Sequence, residues 1–250
     1  NKIWQKGVIK KYFNDDTFQF LSPEFSTSKS FLKTTLIIVV IVFLVLATFV
    51  TVGPSLDLYI GSLFYYGDKQ FLIQNYYSVS IFFRKILLPL ILVYIFVLPL
   101  VLRFFPLQKI YFGYKFSISE IIYIWVSGAA TMLLVVNVLL KNMWGRARPN
   151  DVSYFNGFQD FTPWYKISNA CASNCSFVSG DSSVGFLLIV FYFITKKNVY
   201  LYLGLILGSL LGFIRIAAGG HFFSDIIFSQ IVVTVTILVS FVLYKKFYDK

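Results

Sequence analysis

The stretch "NVYLYLGLILGSLLGFIRIAAGGHFFSDIIFSQIVVTVTILVSFVLY", Asn198 to Tyr244, is two apolar runs joined by a short glycine-containing hinge. The runs cover about 198–216 and about 222–244. Each approaches the ~20 residues that a helix needs to cross a bilayer, and each is too long for a barrel strand of ~10 residues. Backbone N–H and C=O groups in hydrocarbon must find partners within the chain, so both runs read as transmembrane helices. The hinge holds the only histidine of the chain, His221, six residues after Arg215 and four before Asp225.

Comparable runs lie upstream at about 34–52, 82–104, 117–140 and 179–195. Together they predict an all-α, polytopic membrane bundle of about six spans. A chain of 250 residues with 58% hydrophobic and 13% charged residues is not composed like a soluble domain. "GPSLD", Gly53–Asp57, is expected to break the first span, and an aromatic connector to follow it to roughly residue 80. Pro89 and Pro99 are expected as kinks that a bundle tolerates. Residues 1–33 mix lysines with aromatics and read as an interfacial segment, which leaves 34–250 as the membrane domain. No cleavable signal peptide is expected, since the first apolar span is long enough to stay as an anchor.

The net charge of +11 reads as loop charge that meets anionic headgroups. The expected partners are therefore membrane lipids and not nucleic acid. With six spans both termini share one side, together with Arg103, Lys109, Lys115, Lys196 and Lys197. The other side has fewer cations, among them Lys69, Arg84, Lys85 and Lys166. Positive loops stay inside, so the termini are expected in the cytoplasm and the unusual polar clusters outside.

Those clusters number three. In "KNMWGRARP" Lys141 and Arg148 are two helical turns apart, and Pro149 predicts that the chain turns at Arg148. Such cations also snorkel to headgroups with no further role. In "SFVSGDSSVG" Ser179 and Gly180 open an apolar helix, which makes either an anion site or an ordinary N-cap. In the hinge, His221 and Asp225 share a helix face, so the carboxylate can orient one imidazole nitrogen and leave the other free. A purely structural His–Asp bond fits the same spacing.

Taken in order, Lys-x6-Arg-Pro, Ser-Gly at a helix start and Arg-x5-His-x3-Asp resemble the phosphate-site signature of the type 2 phosphatidic acid phosphatase superfamily. The resemblance covers about 117–230. It implies a metal-independent phosphatase with no cofactor and a lipid phosphate as substrate. Lys141, Arg148 and Arg215 would hold the phosphoryl oxygens, with Ser179 and the Gly180 amide completing the cradle. His221 would attack phosphorus to form a phosphohistidine, and Asp225 would orient it. Fixed donors around the equatorial oxygens supply most of the acceleration in such chemistry.

The chain departs from the family pattern at the second motif, where Asp181 follows Ser179-Gly180 in place of a histidine. The family's histidine protonates the leaving oxygen. Asp181 is expected to do so only once a phosphate dianion is seated, or else to position a leaving group that needs little protonation. "GRARPND", "NCSFVSGD" and "GGHFFSD" together resemble the bacterial lipid A phosphatases, especially the 4′-phosphatase group. That resemblance implies the inner membrane, with the site facing the periplasm. Undecaprenyl diphosphate or phosphatidylglycerophosphate phosphatases are the alternative, and a lipid-binding or transport protein without chemistry is the rival class.

The aromatic loop from Asn150 to Phe177 lies beside the clusters. Phe155, Phe158, Phe161, Trp164 and Tyr165 either admit a lipid or anchor the loop. Arg146, Lys166 and Trp164 are candidates for secondary substrate contacts. Spacing leaves open whether Cys171 and Cys175 form a disulfide or remain thiols. The oligomeric state has no signature in the sequence.

Overall fold

The structure, a computed structural model, describes residues 49–104 and 114–248. The chain divides into two compact units, Asn1–Val52 and Gly53–Lys250. The interfacial segment expected at 1–33 and most of the span expected at 34–52 lie outside the described residues.

Residues 49–62 form α1. A small antiparallel ribbon follows, β1 (Tyr65–Gly67) and β2 (Gln70–Phe71). Six helices complete the unit: α2 (Ser78–Phe96), α3 (Leu98–Phe104), α4 (Ile118–Asn142), α5 (Gly180–Thr195), α6 (Asn198–Ala217) and α7 (Phe223–Tyr248). Helices α2, α4, α6 and α7 are long and apolar enough to cross a membrane, with mean hydropathies of 2.1, 2.0, 1.9 and 2.5. Helix α5 is shorter but also apolar. The molecule is an all-α, multi-pass membrane bundle whose one small ribbon, among the described residues, does not change its class.

Two local expectations needed correction. "GPSLD" does not break the first helix, because α1 runs through it to residue 62. Asp57 in this stretch is fully buried and accepts hydrogen bonds from Arg146, Ser224 N–H and Ser224 Oγ, so tertiary bonds outweigh the local proline signal. The span expected at 82–104 is two helices separated at Val97. Pro89 offers no N–H to the carbonyl one turn before it, and a π-helical segment, Phe82–Leu87, ends two residues before it. Pro99 falls in the first turn of α3, where its missing N–H costs little.

Helix α4 starts with reciprocal caps: Ser117 Oγ accepts from Glu120 N–H at 3.2 Å, and Glu120 Oε2 accepts from Ser117 N–H at 2.7 Å. Helices α5 and α6 approach closely through glycine. A Cβ on Gly185 would lie 2.5 Å from Gly208 Cα, and one on Gly204 would lie 2.6 Å from Ile189 Cγ1. Ser182 Oγ also donates to the Gly208 carbonyl at 2.7 Å. The core between the helices holds Ile124, Phe186, Leu187, Phe191, Leu211 and Ile237. Outward faces carry exposed apolar side chains such as Leu133, Val235 and Val242, as lipid contact requires.

The hinge between α6 and α7 needs glycine twice. Gly219 has φ +67°, and a Cβ there would strike the Phe71 ring at 2.4 Å. At Gly220 a Cβ would come within 2.3 Å of Arg215 Nη2, so the guanidinium lies flat against bare backbone. The same turn that reverses the chain thus seats one of the candidate site cations.

Candidate active site

Ser179 caps α5 with extended backbone, and its hydroxyl accepts from Ser182 N–H at 3.4 Å. Gly180 is the first helical residue. Lys141, in the last turn of α4, lies directly over it: a Cβ on Gly180 would be 3.4 Å from both Lys141 Cε and Nζ. Lys141 Nζ donates to Asn174 Oδ1 at 3.0 Å. Beyond α4 the chain is extended at Arg148, as the following proline demands, and Arg148 Nη2 donates to the Asn174 carbonyl at 2.7 Å. The two cations therefore meet through Asn174 and not through helical spacing, because α4 stops at Asn142.

Arg215, in the last turn of α6, is 7% exposed. Its Nε lies 3.4 Å from Asp181 Oδ2, and the same oxygen accepts from Arg84 Nε at 3.1 Å. Arg84 belongs to the π-helical part of α2. Sequence reasoning counted it only as a loop cation; nothing in its local pattern singles it out.

His221 is 2% exposed. Its Nδ1 lies 2.7 Å from the Ser176 carbonyl, an acceptor that cannot donate, so Nδ1 carries the proton and Nε2 keeps its lone pair. Asp225 Oδ2 is farther from Nδ1, at 3.5 Å. The expected His–Asp pairing is thus a close approach, while the backbone carbonyl makes the short bond. Asp225 Oδ2 accepts instead from Ser176 Oγ at 2.5 Å and Phe222 N–H at 2.8 Å. The physical reason is that α7 begins at Phe223, so His221 precedes the helix and does not share its face. Burial pushes the His221 pKa down to about 4, and Arg215 and Lys141 lower it further against the pull of Asp225. The ring is neutral near pH 7.

The residues Lys141, Arg148, Ser179, Gly180, Asp181, Arg215, His221 and Asp225 form one connected group, closed by a 3.5 Å bond from Ser179 N–H to the Asp225 carbonyl. Three other candidates fall elsewhere. Arg146 is wholly buried and faces no ligand surface. Its Nη1 donates to Asp225 Oδ1 at 2.6 Å and Ser224 Oγ at 2.8 Å, its Nη2 to Asp57 Oδ2 at 2.8 Å, and its Nε to the Thr162 carbonyl at 2.8 Å. Trp164 packs on Phe228 with centroids 4.2 Å apart, beside Phe177 and Val178. Lys166 is exposed on the loop. Within the aromatic loop Phe155 is fully buried against Tyr65 and Phe71, whereas Phe158 is 90% exposed. Cys171 and Cys175 are joined in a disulfide.

Three cations, a capped helix start and a neutral buried imidazole lie together at the ends of apolar helices in a membrane protein. Residues 121–249, more than half of the chain, match the PAP2 superfamily, and the chain belongs to that family. Among curated proteins it is similar to the lipid A 4′-phosphatase of Francisella tularensis subsp. novicida (strain U112), with 43% identity over 121 residues, 47% of this chain and 53% of that protein. It is also similar to the lipid A 4′-phosphatase of Rhizobium leguminosarum, with 36% identity over 98 residues, 38% of this chain and 42% of that protein. The chain spans about half the length of these relatives, or less. No solved structure is a significant match.

Proposed function

We propose that the chain is a lipid phosphatase that removes a phosphate monoester from lipid A, at the 4′ position, through a phosphohistidine. The names of the relatives support the substrate. The skewed loop charge supports cytoplasmic termini in a bacterial inner membrane, with the site on the periplasmic side. One observation carries the chemistry: the Nδ1–H of His221 is committed to the Ser176 carbonyl, which leaves Nε2 as a free lone pair beside Lys141 and Arg215.

Lys141, Arg148 and Arg215 would bind the phosphoryl oxygens with the Ser179 hydroxyl and the Gly180 amide. His221 Nε2 attacks phosphorus, the N–P bond forms, and the P–O bond to the sugar breaks. The leaving oxygen takes a proton, which Asp181 would supply once the phosphate has taken over the Arg84 and Arg215 guanidinium groups. Water then attacks phosphorus and returns one proton to Asp181 as the N–P bond breaks, and inorganic phosphate leaves. Asp225, held by Arg146 and Ser176, stabilises the ring as charge develops on it.

His221 is the only histidine of the chain, so a phosphohistidine has one address. The test is purified protein incubated without added metal with lipid A, undecaprenyl diphosphate or phosphatidic acid. Phosphate release is expected chiefly from lipid A, with an acid-labile phosphoenzyme trapped on quenching. The His221→Ala variant should fold and bind lipid but release nothing. Release by that variant at the wild-type rate would end the proposal.

A further inference from the structure

Residues 174–176 contact four members of the candidate site: Lys141, Arg148, His221 and Asp225. Asn174 accepts from Lys141 through its side chain and from Arg148 through its backbone, at 3.0 and 2.7 Å. Ser176 accepts from His221 through its backbone and donates to Asp225 through its hydroxyl, at 2.7 and 2.5 Å. Cys175 sits between them, fully buried, and its disulfide to Cys171 closes a ring of five residues. Asn174 adopts φ +48° inside that ring, a left-handed conformation that asparagine tolerates better than most residues. Asn174 and the two cysteines lie outside the three motifs.

We infer that Asn174 is a positioning residue for the two cations, and that the Cys171–Cys175 disulfide holds it in place, so that phosphate binding depends on the redox state of this pair. The inference rests on the reading of Lys141 and Arg148 as phosphate-holding cations. Each cation has a long, flexible stem that gains precision only when its head is tied to a fixed acceptor. One residue supplies both acceptors, so a shift of Asn174 moves both heads together. A five-residue ring restrains little of an unfolded chain, so the disulfide acts mainly on local geometry. Cys171 is partly exposed and can meet a reductant. A dithiol such as dithiothreitol would reduce the bond by two electrons, giving two cysteine thiols and a cyclic disulfide of the reagent.

The experiment measures binding of inorganic phosphate to the purified full chain in detergent by isothermal titration, before and after reduction and alkylation. The variants are Asn174→Ala, Asn174→Gln and Cys171→Ser with Cys175→Ser. Reduction should weaken phosphate binding about tenfold, the scale of one hydrogen bond to a charged group. The double cysteine variant should bind as weakly as the reduced protein and ignore dithiothreitol. Asn174→Ala should weaken binding similarly, and Asn174→Gln should recover part of it. In turnover, the same changes should raise KM more than they lower kcat.

Unchanged phosphate affinity on reduction and in Asn174→Ala overturns the inference. So does tighter binding in Asn174→Ala, which would make Asn174 a competitor of phosphate. Circular dichroism and thermal stability separate a local effect from unfolding, and weakened binding that tracks unfolding also overturns it. Because the readout is binding, a chain that binds phosphate yet releases none from lipid A refutes the proposed activity while leaving this inference standing.

Discussion

Replacing Arg146 by Met tests whether this cation belongs to the interior or to the substrate. Arg146 has no exposed surface, and its two carboxylate partners, Asp57 and Asp225, have none either. Met keeps much of the volume but removes all four hydrogen bonds and the stacking of the guanidinium on Phe222, 4.3 Å from its ring centroid. Two carboxylates would then share a buried pocket without the cation between them. Breaking a buried pair from one side costs about 3–5 kcal/mol. At roughly 2–4 °C per kcal/mol for a domain of this size, Tm should fall by about 6–20 °C. Adding Asp57→Asn removes one stranded charge, so the double variant should be more stable than the single one, with a coupling of about 1–3 kcal/mol. The assay is tryptophan fluorescence during heating in detergent, with lipid A turnover measured at a temperature where both proteins are folded. A variant with unchanged Tm and a raised KM would show that Arg146 faces the substrate, and the burial argument would be wrong.

Two further outcomes follow from the site. Asp181→Asn should lower kcat on a sugar phosphate monoester by ~100-fold, with a smaller loss on a diphosphate whose leaving group needs less protonation; equal turnover on the monoester would remove Asp181 from proton delivery. His221 has a pKa of about 4 in the fold against an ordinary value of 6.5. Between these values the unfolded chain binds the extra proton, so stability rises with pH through this window and declines on acidification, by about 3 kcal/mol in full. Tm measured from pH 7 to pH 4 should show this decline, and His221→Gln should flatten it. The neutral nucleophile also persists to low pH, so an acid limb of kcat/KM attributable to His221 near pH 6.5 would contradict its burial.

The spans beyond residue 117 were legible because lipid imposes length and apolarity on each helix independently of what it packs against. Predicted ends at 140, 195, 216 and 244 fall within a few residues of Asn142, Thr195, Ala217 and Tyr248. The candidate site was legible in the order and combination of its motif residues, since each alone has an ordinary structural use at a helix end. What escaped was every relation that depends on direction. Arg146 and Arg148 are two residues apart, yet one is driven into a buried pair of aspartates and the other reaches Asn174. On an extended segment, alternate residues share a side, but Gly145 at φ +64° and Pro149 place a turn at each end of this one. The sequence pattern therefore cannot assign the sides, and only the tertiary partners do.

Backbone acceptors were equally hidden. The bond that sets the His221 tautomer comes from the Ser176 carbonyl, and one of the two bonds on Asn174 comes from its own carbonyl. Any residue type offers a carbonyl, so no motif records these contacts; position alone gives them. Position here is set by the Cys171–Cys175 ring on one side and the Ser179 cap of α5 on the other. Substituting Ser176 therefore separates its two contributions. Ser176→Ala keeps the carbonyl that fixes His221 but removes the hydroxyl bonded to Asp225. The tautomer and the free Nε2 lone pair survive that change, whereas the carboxylate loses one of its donors.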